Sequence, residues 1–256
     1  MKRQQIFTTV CWALALILCP VETRAQSNET PNSMYEKGKA FQAENKDTEA
    51  AYWYFKAAEQ GHAGAQYRLG SWYYCGCGAV PKDYTEAFKW YKLAAEQGHA
   101  QAQYLFGALY YEGMGVPKDE TEAFKWVKKS AEQGLAMAQN DIGRMYQDGH
   151  GIAQDYKEAI KWYRKAAEQD YADGYNNIGF MYYKGYGVDL DYKEAVKWFS
   201  KSADKGNSYG QANLGEMYEN GYGVTKNIIE AIKWYTTAEK QGNEKAKEAL
   251  KRLSGE

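Results

Sequence analysis

Two cysteines separated by a single glycine are the chemical feature that this sequence does not repeat. Cys75 and Cys77 lie in a loop one residue longer than its counterparts elsewhere in the chain. In an oxidising compartment their sulfur atoms can close a small ring, and strain raises the reduction potential of such a disulfide. No thioredoxin-type unit or partner histidine lowers a thiol pKa here. An inert local disulfide or two free thiols are therefore favoured over a redox pair.

A serine and a lysine have the spacing that penicillin-recognising enzymes use, in which the lysine activates the serine. These are Ser202 and Lys205. The companion Ser-Asp-Asn and Lys-Thr-Gly motifs are absent from the sequence, and Ser202 takes the repeat position that Ala166 holds elsewhere. We therefore predict a packing role for Ser202, no catalytic residue and no enzymatic activity.

The histidines and the paired glycines also have structural interpretations. His62, His99 and His150 fall in separate repeats, whereas zinc requires three or four converging ligands, so we expect turn residues, no metal and no cofactor. A phosphate-binding glycine loop follows a strand, and no strand is predicted. The loop glycines are therefore assigned a structural role: Gly76/Gly78, Gly113/Gly115, Gly149/Gly151, Gly185/Gly187 and Gly221/Gly223.

The elements that carry these residues repeat along the chain. A tryptophan recurs every 36 residues, at Trp90, Trp126, Trp162, Trp198 and Trp234. A glycine recurs with nearly the same period, at Gly70, Gly107, Gly143, Gly179 and Gly215. A period of this size is typical of a solenoid, in which each unit buries its apolar face against the next. The sequence therefore places function on a surface rather than in an enclosed pocket.

One repeat predicts a pair of helices. In residues 101–136, apolar side chains at helical spacing precede and follow the loop at residues 113–117. Asp119 lies three residues before Glu122, the spacing of a capping box in which the glutamate reaches back to the cap residue. Equivalent pairs are Asp83/Glu86, Asp155/Glu158, Asp191/Glu194 and Asn227/Glu230. Glycines are predicted to end the second helices, at Gly61, Gly98, Gly134, Gly206 and Gly242, with Asp170 as the exception.

The repeat resembles the Sel-1-like repeat family, which is related to the tetratricopeptide repeats. Residues 102–107 (AQYLFG), residues 113–116 (GMGV), Trp126 and residues 131–134 (AEQG) carry the resemblance. It implies an all-α fold, a right-handed superhelical solenoid of antiparallel helix pairs. It also implies protein contacts, often in bacterial export and envelope pathways.

The pattern divides the chain into five segments. Five Sel-1-like repeats cover residues 63–243. Residues 33–62 resemble a tetratricopeptide capping repeat, because Gly38 and Ala50 are 12 residues apart whereas Gly107 and Ala123 are 16 apart. The remaining segments are a predicted signal peptide at residues 1–25, a flexible leader at residues 26–32 and a C-terminal capping helix at residues 244–256.

The first residues predict export. Lys2 and Arg3 precede an apolar run at residues 10–21, and a small-residue cleavage site ends at Ala25. This order is typical of a secretory signal peptide, so we expect a periplasmic or secreted bacterial protein. The apolar run is too short to span a membrane, and no later segment approaches the necessary length. With 32 basic and 33 acidic residues, the chain lacks the charge excess of a nucleic-acid-binding protein.

The family geometry implies that the first helix of each pair lines a concave groove. The groove positions differ between repeats while the packing positions recur, as binding of a non-repetitive partner requires. The predicted partner-binding residues are Tyr35, Tyr67, Tyr74, Tyr104, Tyr111, Arg144, Phe180, Tyr183 and Glu216. Tyrosine is common in binding hot spots. We expect an extended peptide or a partner helix along Tyr67, Tyr104 and Tyr111; the alternative is that these rings only pack against neighbouring helices.

These observations favour an exported adaptor that binds a partner protein or peptide along the groove. A second hypothesis is binding of peptidoglycan or another glycan, because aromatic grooves also stack on sugar rings. A third is the β-lactamase-like or penicillin-binding activity suggested for cysteine-rich relatives, whose regularly spaced cysteine pairs this chain lacks. The sequence leaves the partner and the oligomeric state open.

Overall fold

The computed structural model describes residues 29–255 and shows only α-helices there. Thirteen helices and no strand occur in this range, which confirms the predicted all-α fold built from helix pairs. The predicted signal peptide lies outside the described residues. Of the helices that the structure describes, none is both long and apolar enough to cross a membrane.

The described chain divides into two compact units, the first ending at His99 and the second starting at Ala100. The first unit contains two helical hairpins, and its second helix also packs on its third. Its helices are α1 (Pro31–Ala43), α2 (Asp47–Glu59), α3 (Ala63–Cys75) and α4 (Tyr84–Glu96). Helix α1 includes the last two residues of the predicted leader, because the Thr30 hydroxyl caps it by accepting the Ser33 N–H at 3.2 Å.

The second unit contains four hairpins and a single final helix, and each helix packs on the next. The first two hairpins are α5 (Ala100–Glu112) with α6 (Glu120–Glu132) and α7 (Ala136–Asp148) with α8 (Tyr156–Glu168). They are followed by α9 (Ala172–Lys184), α10 (Tyr192–Asp204), α11 (Ser208–Asn220) and α12 (Ile228–Glu239). The final helix, α13 (Glu244–Ser254), lies where the sequence predicts a capping helix.

In five of the six hairpins the second helix starts at a side-chain cap, but the predicted capping box is only half formed. The Asp155 carboxylate accepts the N–H groups of Lys157 and Glu158 at 2.9 and 3.0 Å. Glu158 does not reach back and pairs instead with Lys161 at 3.0 Å. The reason is that the Asp155 N–H already donates to the Tyr146 carbonyl at 2.8 Å. The same arrangement recurs at Asp83, Asp119, Asp191 and Asn227.

In three loops the second glycine packs closely against the preceding hairpin. Gly151 has a φ of +70°, and its α-carbon lies so close to the Glu120 carbonyl at the start of α6 that no Cβ would fit. Gly187 and Gly223 approach the carbonyls of Tyr156 and Tyr192 in the same way. Backbone contact with the preceding hairpin thus explains these glycines without a bound phosphate.

Candidate functional site: the first-helix face

The predicted binding residues all lie on the first helices of the hairpins. We call their surface the first-helix face. It consists of three positions in each first helix, counted from the glycine that recurs there: the third residue before that glycine, the residue directly after it and the fourth residue after it. In the second unit these glycines are Gly107, Gly143, Gly179 and Gly215.

In the first unit, two of the three predicted tyrosines stack on histidines. Tyr35 stacks on His62 with ring centroids 4.4 Å apart, and Tyr67 stacks on His99 at 4.7 Å. His62 also caps α3, because its Nδ1 accepts the Ala65 N–H at 3.1 Å. Burial lowers the pKa of the His62 imidazole, which favours the neutral form needed for this bond. Packing therefore accounts for much of the Tyr35 and Tyr67 surface.

Tyr74 differs from those two tyrosines. It is exposed near the end of α3 and lies tilted against Tyr84, with ring centroids 5.4 Å apart. Of the predicted residues in the first unit, it is the one with the most open surface.

In the second unit, the structure brings Tyr104, Tyr111 and Arg144 together around an open depression of about 390 Å³. Val127 and Ala108 also line this depression, which we call the Val127 pocket. A volume of this size is within the usual range for ligand sites. The pocket joins helices α5, α6 and α7, so residues from two successive hairpins converge on it.

Polar contacts hold two sides of the Val127 pocket in place. The Tyr104 hydroxyl donates to the Asp141 carboxylate at 2.8 Å, and Arg144 lies 3.8 Å from the same carboxylate. Burial raises the pKa of the Tyr104 phenol, and Asp141 raises it further, so the hydroxyl keeps its proton and remains a donor. The other end is closed by Tyr111, whose ring meets His150 edge-on at 5.5 Å.

Phe180, Tyr183 and Glu216 meet at a second depression, of about 120 Å³, which Phe199 also lines. We call it the Phe199 pocket. The Tyr183 hydroxyl donates to Glu216 at 3.0 Å, and burial together with Glu216 raises the pKa of Tyr183 to about 12. Burial alone would raise the pKa of Glu216, but hydrogen bonding and charge from Lys245, with the Tyr183 bond, outweigh it and lower that pKa.

The other residues with chemical potential have structural partners. Cys75 and Cys77 are joined in the structure, with their Cα atoms 5.3 Å apart, in an exposed loop. The Ser202 hydroxyl donates to the Ala172 carbonyl at 2.8 Å, and Lys205 pairs with Asp170 at 3.0 Å. The Ser-x-x-Lys spacing therefore does not form a catalytic pair.

Sequence reasoning missed two features of the site. Asp141, one position beyond the predicted face, bonds to Tyr104 across 37 residues of sequence. Val127 is one of the apolar side chains that follow the loop at residues 113–117, and the sequence analysis did not use the fact that four other hairpins have a tyrosine in its place. Within residues 29–255, no group of three or more acidic, histidine or cysteine side chains is arranged to hold a metal.

Comparison with known proteins identifies the repeat. The family model of the Sel1 repeat matches six times, at residues 33–62, 63–99, 100–135, 136–171, 172–207 and 208–243. The first match covers the segment that we expected to be a tetratricopeptide cap, so the shorter loop of that hairpin does not remove it from the family. In the sequence comparison, no curated protein matches the chain.

Solved structures of Sel1 repeat proteins are similar over most of the chain. A protective antigen of uropathogenic Escherichia coli with an SLR fold is 38% identical, with a TM-score of 0.79 over 92% of this chain and 50% of that one. This chain therefore spans about half the length of that structure. A Sel1 repeat protein from Oxalobacter formigenes is 36% identical, with a TM-score of 0.81 and coverage of 87% of both chains.

Proposed function

Because the chain belongs to the Sel1 repeat family, we propose that it is an exported scaffold whose first-helix face binds a partner protein or peptide. Sel1 repeat proteins are in general scaffolds for protein interactions. In a solenoid, the repeated side chains stabilise neighbouring repeats, and the residues that differ between repeats are available to a partner. The proposal extends this general role to a defined surface.

The observation that carries the proposal is the position of the two pockets in the second unit. Both open on the first-helix face, and both are lined by residues that differ between hairpins. Tyr111 and Arg144 provide an aromatic ring and a guanidinium, two groups that are common in binding hot spots. Arg144 is 58% exposed, so it can contact a partner without rearrangement of the fold.

Export is supported by the pattern in residues 1–25, which is typical of a secretory signal peptide. The similar Escherichia coli protein is described as a protective antigen, which fits a protein outside the cytoplasm. These two observations support our proposal that the chain is periplasmic or secreted.

Crosslinking in the native envelope followed by mass spectrometry tests the scaffold function. We expect a defined protein adduct whose crosslinks map to the first-helix face of the second unit. Tyr111→Ala combined with Arg144→Ala should abolish the adduct without changing the circular dichroism spectrum. Tyr67 and Tyr104 are less suitable for this test, because Tyr67 stacks on His99 and Tyr104 donates a 2.8 Å hydrogen bond to Asp141. Their loss should cost more stability than loss of the edge-on ring contact of Tyr111 or the 3.8 Å ion pair of the exposed Arg144.

The matched control is Lys157→Ala combined with Lys193→Ala, at exposed positions on second helices. This variant should keep the adduct. An adduct that survives in the Tyr111 and Arg144 variant would show that the partner binds elsewhere. Pull-down by purified peptidoglycan without any protein adduct would favour the glycan hypothesis instead.

A further inference from the structure

One hairpin of the second unit lacks the aromatic ring that packs on the first-helix glycine in the other five hairpins. In four of the six hairpins a tyrosine of the second helix lies flat on the glycine of the first helix. In the fourth hairpin, for example, a Cβ built on Gly143 would lie 2.6 Å from the Tyr163 ring. The equivalent pairs are Tyr54 on Gly38, Tyr91 on Gly70 and Tyr235 on Gly215. In the third hairpin, Val127 takes the place of the tyrosine.

The tyrosine hydroxyls show what is missing at Val127. Each of the four donates to a residue of the first-helix face; Tyr163, for example, donates to Gln147 at 2.9 Å. The other bonds are Tyr54 to Gln42, Tyr91 to Ser71 and Tyr235 to Glu219. At Val127 neither the ring nor the hydroxyl is present, and Ala108 on the adjacent helix adds no bulk. The Val127 pocket is the volume left open.

Packing does not explain this volume. Unfilled space in a fold lowers stability, and a residue that fills it is already used at four equivalent positions. Local rules are most often broken where a site has another role. The pocket is therefore a candidate for binding on grounds independent of the family.

The charges around the Val127 pocket are mainly negative. Glu112, Asp141 and Asp148 line it, against the single guanidinium of Arg144. Arg144 lies 3.8 Å from Asp141, whereas within the described chain neither Glu112 nor Asp148 has an ion-pair partner. The nearby ammonium of Lys118 lies 5.1 Å from the Tyr111 ring centroid and is paired with Glu120 at 2.7 Å.

His150 also lines the pocket, and its Nδ1 lies 3.1 Å from Glu120, the carboxylate that already pairs with Lys118. The lining itself still has three carboxylates against one guanidinium and one imidazole. An excess of carboxylates beside two tyrosine rings attracts a cation and repels an anion. The carbon stem of a long basic side chain can lie along the rings while its head group reaches the carboxylates.

We propose that the Val127 pocket binds a lysine or arginine side chain of a polypeptide that lies on the first-helix face. The proposal deepens the proposed function and depends on it for the partner being a polypeptide. Tyr104 and Tyr111 contact the stem, and Asp141 and Asp148 receive the charged head group. Tyr104 is a positioning residue as well, because its hydroxyl fixes one Asp141 oxygen at 2.8 Å.

Nuclear magnetic resonance titration of the isotope-labelled protein tests the pocket directly. The probes are N-acetylarginine amide and N-acetylcitrulline amide, which have nearly the same shape but differ in charge. We expect saturable shifts of the Ala108, Val127 and Asp141 amides with the arginine probe. Binding of the citrulline probe should be weaker by a factor of about ten, given the strength of cation–π and charge interactions.

The chain itself provides the filling variant. Val127→Tyr introduces the ring that four other hairpins carry, so it should fold, melt at the same or a higher temperature and lose the arginine probe. Phe199→Tyr is the matched control, because it adds a tyrosine at the equivalent position of the fifth hairpin and leaves the Val127 pocket open. It should bind the arginine probe as the unmodified protein does.

Three results would overturn the proposal: equal binding of citrulline and arginine, unchanged binding by Val127→Tyr, or preferred binding of N-acetylaspartate amide. If Val127→Tyr fails to fold, Asp148→Asn at an exposed position provides a second test. This variant should bind the arginine probe several-fold more weakly than the unmodified protein. If the arginine probe does not bind but the crosslinked protein adduct still forms, the pocket proposal is wrong and the scaffold function stands. Probe binding without any protein adduct in the envelope would instead contradict the scaffold function.

Discussion

Two serines in equivalent positions have different surroundings, although both are fully buried. The Ser202 hydroxyl donates to the Ala172 carbonyl at 2.8 Å. The Ser130 hydroxyl has no hydrogen-bond partner in the described chain. A buried hydroxyl without a partner loses its bonds to water and gains nothing in return. The same residue type should therefore contribute with opposite sign at the two sites.

Ser130→Ala should leave the free energy of unfolding unchanged or raise it by at most about 1 kcal/mol, because the substitution removes an unpaired polar group. Ser202→Ala should destabilise it by about 1 kcal/mol, because it leaves the Ala172 carbonyl without its donor. Urea unfolding followed by circular dichroism measures both. Equal losses of stability in the two variants would show that the Ser130 hydroxyl also has a hydrogen-bond partner in the folded protein.

The sequence predicted which face carries the variable residues, but not their contacts. The period alone places Tyr104 and Arg144 on first helices, so their face was predictable. The bond from Tyr104 to Asp141 was not, because it joins different hairpins and depends on side-chain conformation. The Val127 pocket had a visible signal, since aligning the six hairpins shows one valine and one phenylalanine among four tyrosines.

At the level of elements, the two glycines of a loop have different roles. Gly149 ends α7 with a φ of +77°, and the nearest atom to a Cβ built there is 3.6 Å away. Gly151 has a similar φ of +70°, but a Cβ there would overlap the Glu120 carbonyl. The first glycine therefore needs only a left-handed backbone, whereas the second also needs the absence of a side chain.

Gly149→Ala should cost about 1 kcal/mol, the usual penalty of a left-handed backbone with a Cβ. Gly151→Ala should cost at least about 3 kcal/mol, because the loop must also move away from α6. Thermal and urea unfolding of the two variants compare them directly. Similar losses at both sites would contradict the proposed contact between the loop and the preceding hairpin.

Helix boundaries were well predicted because their signals are local. The caps at Asp83, Asp119, Asp155 and Asp191 act within three residues, so sequence spacing was sufficient. The expected hydrogen bond between the Glu158 side chain and the Asp155 N–H does not form, and the reason is non-local. The Asp155 N–H is used by Tyr146 of the preceding helix, which only the folded hairpin reveals.

At the scale of the whole molecule, the C-terminal helix ties three elements of the second unit together. Lys245 of α13 donates to Asn213 at 2.8 Å and to Glu216 at 2.6 Å, both on α11. Glu216 in turn accepts the Tyr183 hydroxyl of α9. Arg252 reaches Glu219 at 2.6 and 2.7 Å. A capping helix thus covers the last hairpin and adds charge contacts that no single repeat contains.

Because the pKa of Glu216 is lowered, the stability that its contacts with Lys245 and Tyr183 contribute depends on pH. A carboxyl group whose pKa falls on folding stabilises the folded state above its ordinary value of 4.5. That contribution is lost as the pH drops through the lower, folded value. Glu216→Gln should therefore reduce the free energy of unfolding at neutral pH by about 1 kcal/mol, a modest amount because the pair is partly exposed.

The same substitution should matter less in acid, since the wild-type carboxyl then becomes neutral as well. Urea unfolding at neutral pH and at a series of pH values that decrease from 4.5 compares the two proteins as Glu216 becomes protonated. Glu244→Gln is the control, because its exposed partner Lys247 lies on the same helix and joins no other element. A difference between Glu216→Gln and wild type that stays constant with pH would mean that Glu216 acts through shape rather than charge.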